Sequence, residues 1–276
     1  MNIGIVGMGL IGGSLAKIYQ AEGHNIYGFD TEVAILSFAQ LSGAIDGVLD
    51  ERSIGKCDAI FIAVNPGDAV AYLESAAPSI AKKTMIIDCC GVKRVVCERC
   101  FLLAKQYGFI FVGGHPMAGN HKAGFKNSRA NLFRGASMIL VPPVYDDAAL
   151  FGQIEELLKP IGFGHLTVTT AEKHDEMIAF SSQMAHVVSS AYIKSPTARS
   201  HKGFSAGSYK DLTRVARLNA NMWAELCMDN NDFLIKELDC FINSLSKYRD
   251  ALAAKDVDGL RGLFEEGSRL KEELDP

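Results

Sequence analysis

The sequence predicts an α/β N-terminal part, a parallel sheet with helices on both faces, followed by an all-α C-terminal part. Short apolar runs alternate with helical stretches from residue 1 to about 168, the rhythm of a doubly wound sheet. After about Thr170 strand-like runs vanish and only helical periodicity remains. A length of 276 residues with 48% hydrophobic and 22% charged content fits a globular chain of one large domain or two. We place the boundary at 169, giving units 1–169 and 170–276.

The elements follow in order. Ile3–Val6 is a first apolar run, then a glycine-rich turn leads into a helix to Ala21. Asn25–Phe29 is a second strand ending at Asp30. Ala59–Val64 is continuously apolar, as in a strand buried on both faces, and Asn65-Pro66-Gly67 stops it. Met85–Ile87, Phe109–Val112, Ser137–Val141 and His165–Val168 complete the strands. Asp146–Lys159 is an amphipathic helix with Leu150, Ile154, Leu157 and Leu158 on one face. Glu172–Ser195, Ser208–Leu218, Ala220–Lys247 and Val257–Leu274 read as helices, and the charged tail Glu265–Pro276 as a solvated helix end.

Composition excludes several classes. A net charge of −4 leaves no basic footprint for nucleic acid. No apolar run approaches the roughly 18 residues of a membrane span, and no basic n-region marks a secretory signal. Seven cysteines, an odd number without an export signal, read as reduced thiols of a cytoplasmic protein. Cys97-Glu-Arg-Cys100 has metal-site spacing, but no second pair supplies four zinc ligands. We read both as helix positions beside a core and expect no metal site.

Gly7-x-Gly9-x-x-Gly12 follows a strand and opens a helix, the context that gives this spacing meaning. Gly7 permits the tight turn, Gly9 lets a pyrophosphate approach the backbone, and Gly12 lets helix and strand pack closely. The helix N-terminus supplies free N–H groups for phosphates. Asp30, 18 residues after Gly12, can hold both ribose hydroxyls and repels a 2′-phosphate. This is a Rossmann-type dinucleotide-binding opening that favours NAD over NADP. The cofactor-binding candidates are Gly7, Gly9, Leu10, Ile11, Gly12 and Asp30, with Val64 and Asn65 where the Ala59–Val64 run ends.

Chemistry is expected at the carboxyl ends of the strands. Two segments stand out there, Asp88-Cys89-Cys90-Gly91-Val92-Lys93 and Gly114-His115-Pro116-Met117-Ala118-Gly119. Oxidising an alcohol needs a base for the hydroxyl proton while hydride leaves the carbon, and neutral imidazole suits that task. His115 is therefore the catalytic candidate. In the helical part, Arg214 can clamp a carboxylate through two parallel hydrogen bonds. The bland alternative is an ion pair with Asp211 or a surface Glu. Gln183 and His186, three apart on a helix, share a face. Trp223 is the sole tryptophan and, read alone, a core residue.

Together, the glycine-rich opening, Gly114–Gly119, Ser182-Gln183-Met184-Ala185-His186 and Asp211-Leu212-Thr213-Arg214 resemble the prephenate/arogenate dehydrogenase family of tyrosine biosynthesis. The resemblance runs from residue 1 to about 230, with the two most specific segments 96 residues apart. It implies NAD-dependent oxidative decarboxylation of prephenate to 4-hydroxyphenylpyruvate, or of arogenate to tyrosine. It also implies that His115 matches the catalytic histidine and Arg214 the residue binding the ring carboxylate. His186, Gly207 and Trp223 match positions near the substrate side chain. A homodimer through the helical domain is implied as well. Too few residues follow about 250 for a regulatory domain, so tyrosine inhibition, if present, would act at the active site itself.

Three departures stand out. Gly91 occupies the place where the family often has a serine that bonds the reacting hydroxyl. Gln183 replaces the first histidine of Ser-His-Leu-Pro-His. His121 stands where an acidic residue is often found. A β-hydroxy-acid dehydrogenase of similar layout and a non-catalytic NAD-binding regulator are the competing readings.

Overall fold

The computed structural model describes residues 1–119 and 122–274. An eight-stranded sheet comprises β1 (Asn2–Val6), β2 (Asn25–Phe29), β3 (Gly47–Val48), β4 (Ala59–Ile62), β5 (Met85–Asp88), β6 (Ile110–Pro116), β7 (Ser137–Val141) and β8 (His165–Val168). Its order is β3-β2-β1-β4-β5-β6-β7-β8. The reversal of direction beside β1 opens a crevice at the carboxyl ends of β1 and β4, where such sheets bind ligands.

The continuous apolar runs divide between two faces. On one, Ile3, Ile5, Phe61, Ile87 and Val112 pack on α1 (Leu10–Ala21) and α5 (Ala148–Leu158) through Leu15, Tyr19, Ile154 and Leu157. On the other, Ile60, Ile62, Ile86 and Phe111 pack on α3 (Pro66–Ala76) and α4 (Arg94–Tyr107) through Leu73, Val96 and Leu103. Cys97 and Cys100 face this second layer, both buried, and burial pushes the Cys100 thiol up to about 12. A thiol held protonated in an apolar layer is neither a ready nucleophile nor a ready metal ligand. Helix α2 (Val33–Leu41) completes the wrap near β2.

The sheet departs from the expected all-parallel form at β7, which runs antiparallel to β6; β8 is again parallel to β7. A parallel return needs a crossover, usually helical. Among the described residues between β6 and β7 the only helix is the short turn Phe125–Asn127. The outcome lengthens β6. Its first half pairs with β5, and Gly113–Pro116 pairs with Met138–Val141, so His115 lies within a strand opposite Ile139 rather than in a loop beyond it. The two-residue strand β3 is an addition that its length hid from pattern reading.

From Ala171 the described chain is helical: α6 (Ala171–Ile178), a π-helical stretch (Ala179–Met184), α7 (Ala185–Tyr192), α8 (Gly207–Thr213), α9 (Ala220–Met228), α10 (Asn231–Ala254) and α11 (Val257–Leu274). Thr170 and Asn219 cap α6 and α9 through their side-chain oxygens. The helix expected over Ala220–Lys247 is broken at Asp229-Asn230. Asn230 is fully buried there, and its amide bonds the Asp175 carbonyl and Gln183 Oε1, each at 2.8 Å. No helix among the described residues is long and apolar enough to cross a membrane.

Candidate active site

The glycine turn is built for close approach. Gly7 has φ +87°, and a Cβ there would sit 2.5 Å from both the Ala63 carbonyl oxygen and Val64 Cγ1. Val64 and Asn65 thus border the turn from the end of β4, and Asn65 is the N-cap of α3. A Cβ at Gly12 would collide with the Gly7 carbonyl. Over Gly9 nothing lies within 4 Å, and it caps α1 without a side-chain bond. The backbone at this helix N-terminus therefore faces open space, which fits a pyrophosphate. Leu10 and Ile11 form the first turn, half-buried. Asp30 accepts from Met8 N at 2.8 Å and from Glu32 N at 3.0 Å, one bond on each oxygen. Lone pairs remain on both for ribose hydroxyls. These residues fit a dinucleotide.

Next along the sheet, β5 ends in Asp88, which is fully buried. It pairs with the buried Lys93 ammonium and accepts from Cys90 N at 2.9 Å and Gly114 N at 3.0 Å. The last bond ties the end of β5 to β6 one residue before His115. Gly113 and Gly114 are small because β6 is crowded, not because the chain turns: a Cβ at Gly113 would lie 2.6 Å from Cys97 Sγ, and one at Gly114 would strike the Asp88 carbonyl.

His115 Nδ1 lies 2.9 Å from His174 Nε2, and His174 Nδ1 lies 2.7 Å from Asp175 Oδ1. Burial raises the Asp175 carboxyl, but hydrogen bonds from His174 and from the Arg94 and Lys93 N–H groups outweigh it and hold the group below its usual range. Burial holds His174 below its ordinary value, and burial, His174 and the Lys93 charge hold His115 well below. These states fix the tautomers. An ionised Asp175 only accepts, so His174 carries its proton on Nδ1. Its bare Nε2 then accepts from His115 Nδ1–H. His115 Nε2 is left unprotonated, the state a general base needs. Sequence reasoning missed His174 and Asp175. Adjacent His and Asp four and five residues after a capping Thr170 were the available signal.

Asp175 also joins the two halves of the molecule. It accepts from Lys93 N at 2.7 Å and Arg94 N at 2.9 Å, the start of α4. Arg94 reaches on to Asp232 and Asn230. Helix α9 makes the second bridge: Glu225 accepts from Gly67 N at 3.0 Å, and Leu226 packs on Gly91.

Trp223, on the same helix, stacks on His186 with ring centroids 3.8 Å apart. His186 Nδ1 is 3.0 Å from the Val215 carbonyl, beside Arg214. The Arg214 charge contributes, after burial, to holding His186 below its ordinary value. Arg214 is exposed and has no hydrogen-bond or ion-pair partner among the described residues, so the anticipated alternative, a pair with Asp211, does not form. Gly207 opens α8 with open space around it.

Gln183 departs from its expected role. It is 1% exposed, its amide donates to the Leu226 carbonyl at 2.8 Å, and its oxygen accepts from Asn230. Both ends of the side chain are engaged within the protein, which makes it a brace for α9 rather than a substrate contact. His121 lies outside the described residues.

Two family models match the chain in sequence order. Residues 15–166 match the prephenate dehydrogenase nucleotide-binding domain, and residues 170–266 the prephenate dehydrogenase dimerization domain. A cyclohexadienyl dehydrogenase of Zymomonas mobilis is 30% identical over 98% of this chain and 94% of its own length. A prephenate dehydrogenase of Bacillus subtilis is 29% identical over 98% of this chain and 75% of its own. Among solved structures, prephenate dehydrogenase from Aquifex aeolicus in complex with hydroxyphenyl propionate and NAD+ superposes with a TM-score of 0.85 at 25% identity, covering 100% of this chain and 98% of that one. A sheet whose glycine turn fits a dinucleotide, followed by a helical part docked on it, agrees with these matches, and the chain belongs to the prephenate dehydrogenase family.

Proposed function

We propose that this protein is an NAD-dependent prephenate dehydrogenase, with His115 as the base and Arg214 as the anchor for the ring carboxylate. The observation that carries the reading is the 2.9 Å contact between His115 Nδ1 and His174 Nε2, which leaves His115 Nε2 as the nitrogen to take a proton, on the strand two positions from β4 in the sheet. Gly7, Gly9, Leu10, Ile11, Gly12, Asp30, Val64 and Asn65 would hold the cofactor. NAD, when bound, supplies the acceptor for the hydride that leaves the substrate's carbinol carbon.

The protein's own part is positional and electrostatic. His115 Nε2 accepts a hydrogen bond from the substrate hydroxyl and takes its proton as the carbon is oxidised. Arg214, exposed and without a partner among the described residues, clamps the ring carboxylate through charge-assisted bonds until carbon dioxide departs and the ring becomes aromatic. His186, stacked on Trp223, and Gly207 border the substrate side chain. Gly91 leaves the hydroxyl without a serine partner.

The cofactor-binding unit is residues 1–169 and the helical unit 170–276. The helical unit pairs with a second copy. Ile235, Ile242, Leu245 and Leu252 of α10 and Val257 and Phe264 of α11 are each more than half exposed, an apolar face that a partner would cover. The enzyme is placed in the cytoplasm, in keeping with its unpaired cysteines.

The test is nicotinamide reduction by the purified protein with NAD or NADP and with prephenate or arogenate. Turnover of prephenate with NAD, yielding 4-hydroxyphenylpyruvate, is expected. Turnover of arogenate alone would reassign the substrate, and cofactor binding without turnover of either would reject the reading.

A further inference from the structure

The reaction assigned above loses a proton and then needs it back. When hydride leaves the carbinol carbon with its electron pair, the O–H bond breaks and the oxygen becomes a carbonyl. When the carboxylate leaves as carbon dioxide, the C–C pair enters the ring and the same oxygen becomes a phenolate, which must be reprotonated. One proton therefore has to be held close to one oxygen between the two events. His115 alone holds it poorly. It is half-buried, and the Lys93 ammonium, itself fully buried, opposes a positive charge on it from the N-terminus of α4.

His174 offers a better resting place. Its Nδ1–H already donates to Asp175 at 2.7 Å, and both side chains are fully buried. We propose that His174 takes up, by way of His115, the proton that the substrate hydroxyl loses, and that Asp175 holds it there until the product oxygen takes it back. The hydroxyl proton bonds to His115 Nε2, the His115 Nδ1 proton moves to His174 Nε2, and the steps reverse once carbon dioxide has gone. The imidazolium then lies on the ring in contact with the carboxylate.

The relay is a store and not an exit. Beyond His174, the Asp175 carboxylate is occupied by Lys93 N, Arg94 N and Arg94 Nε at 2.7, 2.9 and 3.3 Å. The charged groups facing the pair are Lys93 at the N-cap of α4, Asp88 on β5, and Arg94 with its partner Asp232 on α10. Lys93 opposes a cation on His174, whereas Asp175 and Asp88 favour it. A closed path suits a proton that must return; a path to solvent would suit one that is released.

This inference rests on His115 being the base, so the experiment separates the two. His174→Gln keeps an amide that can bond both neighbours but cannot carry a proton. Its turnover of prephenate is expected to fall on the order of 10²-fold with the prephenate KM little changed. In mixtures of light and heavy water, the single-turnover rate of the wild type is expected to show the curved dependence of two protons in motion, and that of H174Q a linear one. Nitrogen-15 spectra of the unliganded wild type are expected to show His115 protonated on Nδ1 and bare on Nε2, and His174 protonated on Nδ1. Wild-type turnover in H174Q, a linear dependence in the wild type, or a His115 protonated on Nε2 would each overturn the relay. If His115→Asn also retained turnover, the assignment of the base itself would fall. Should H174Q not fold, the wild-type spectra and rates decide.

Discussion

Leu226 rests against Gly91: a Cβ at that glycine would lie 3.2 Å from Leu226 Cδ2 and 3.3 Å from Cδ1. A helix of the C-terminal part thus borders the space that a side chain at this position would take. Gly91→Ser is therefore not a simple restoration. It crowds Leu226 and is expected to cost about 1 kcal/mol of stability. Combining it with Leu226→Ala should give less destabilisation than the sum of the single variants, a coupling that denaturant titration of all four proteins measures. Strict additivity would show that the two side chains do not compete for one space.

Both Asp30 oxygens brace the turn through Met8 N and Glu32 N, and in the proposed reading the carboxylate also faces the ribose. Asp30→Ala removes the repulsion of a 2′-phosphate and loosens the turn together. The expected outcome is weaker NAD binding and a preference for NAD over NADP reduced by roughly 10-fold or more, measured as the ratio of kcat/KM values. Unchanged selectivity would remove Asp30 from the ribose site.

The two histidines set the pH response. Burial comes first in holding both His115 and His174 below the ordinary value of 6.5. The neutral ring is the active form, so kcat/KM should persist as pH falls through that value and drop only at lower pH. Stability moves differently. The unfolded chain takes up these protons near pH 6.5 while the folded chain does not, so the fold loses stability as pH falls below about 6.5. Asp175 adds a further loss as pH falls through its lowered folded pKa, because its ionised form is the one that is hydrogen-bonded. An acid limb of kcat/KM at or above pH 6.5 would contradict the buried, neutral pair.

Arg214 has no partner among the described residues, so removing it leaves nothing uncompensated among them. Arg214→Ala is expected to fold with nearly unchanged stability and to raise the prephenate KM by 10-fold or more, roughly the worth of one charge-assisted clamp. A normal KM would exclude it from the carboxylate site.

The sequence made the architecture legible because its signals were local. Apolar runs bounded by glycine and proline located seven of the strands, and the Gly7–Gly12 turn with Asp30 followed from spacing together with its place between a strand and a helix. The antiparallel step at β7 was not legible, since it depends on what the segment after His115 fails to form. Neither was the true place of Gln183, which needs the break at Asn230 and the approach of α9 from more than forty residues away. His115 was visible from its flanking residues. The relay behind it was not, because His174 and Asp175 lie 59 and 60 residues further along and meet His115 and α4 only when the helical part docks.

The most direct test of this account is turnover of prephenate by His115→Asn, measured beside its affinity for NAD. Loss of the base with the fold retained predicts a fall in kcat on the order of 10²- to 10⁴-fold, with NAD bound as tightly as by the wild type. A variant that turned over at the wild-type rate would show that His115 does not take the proton, and the chemistry would have to be sought elsewhere in the cleft.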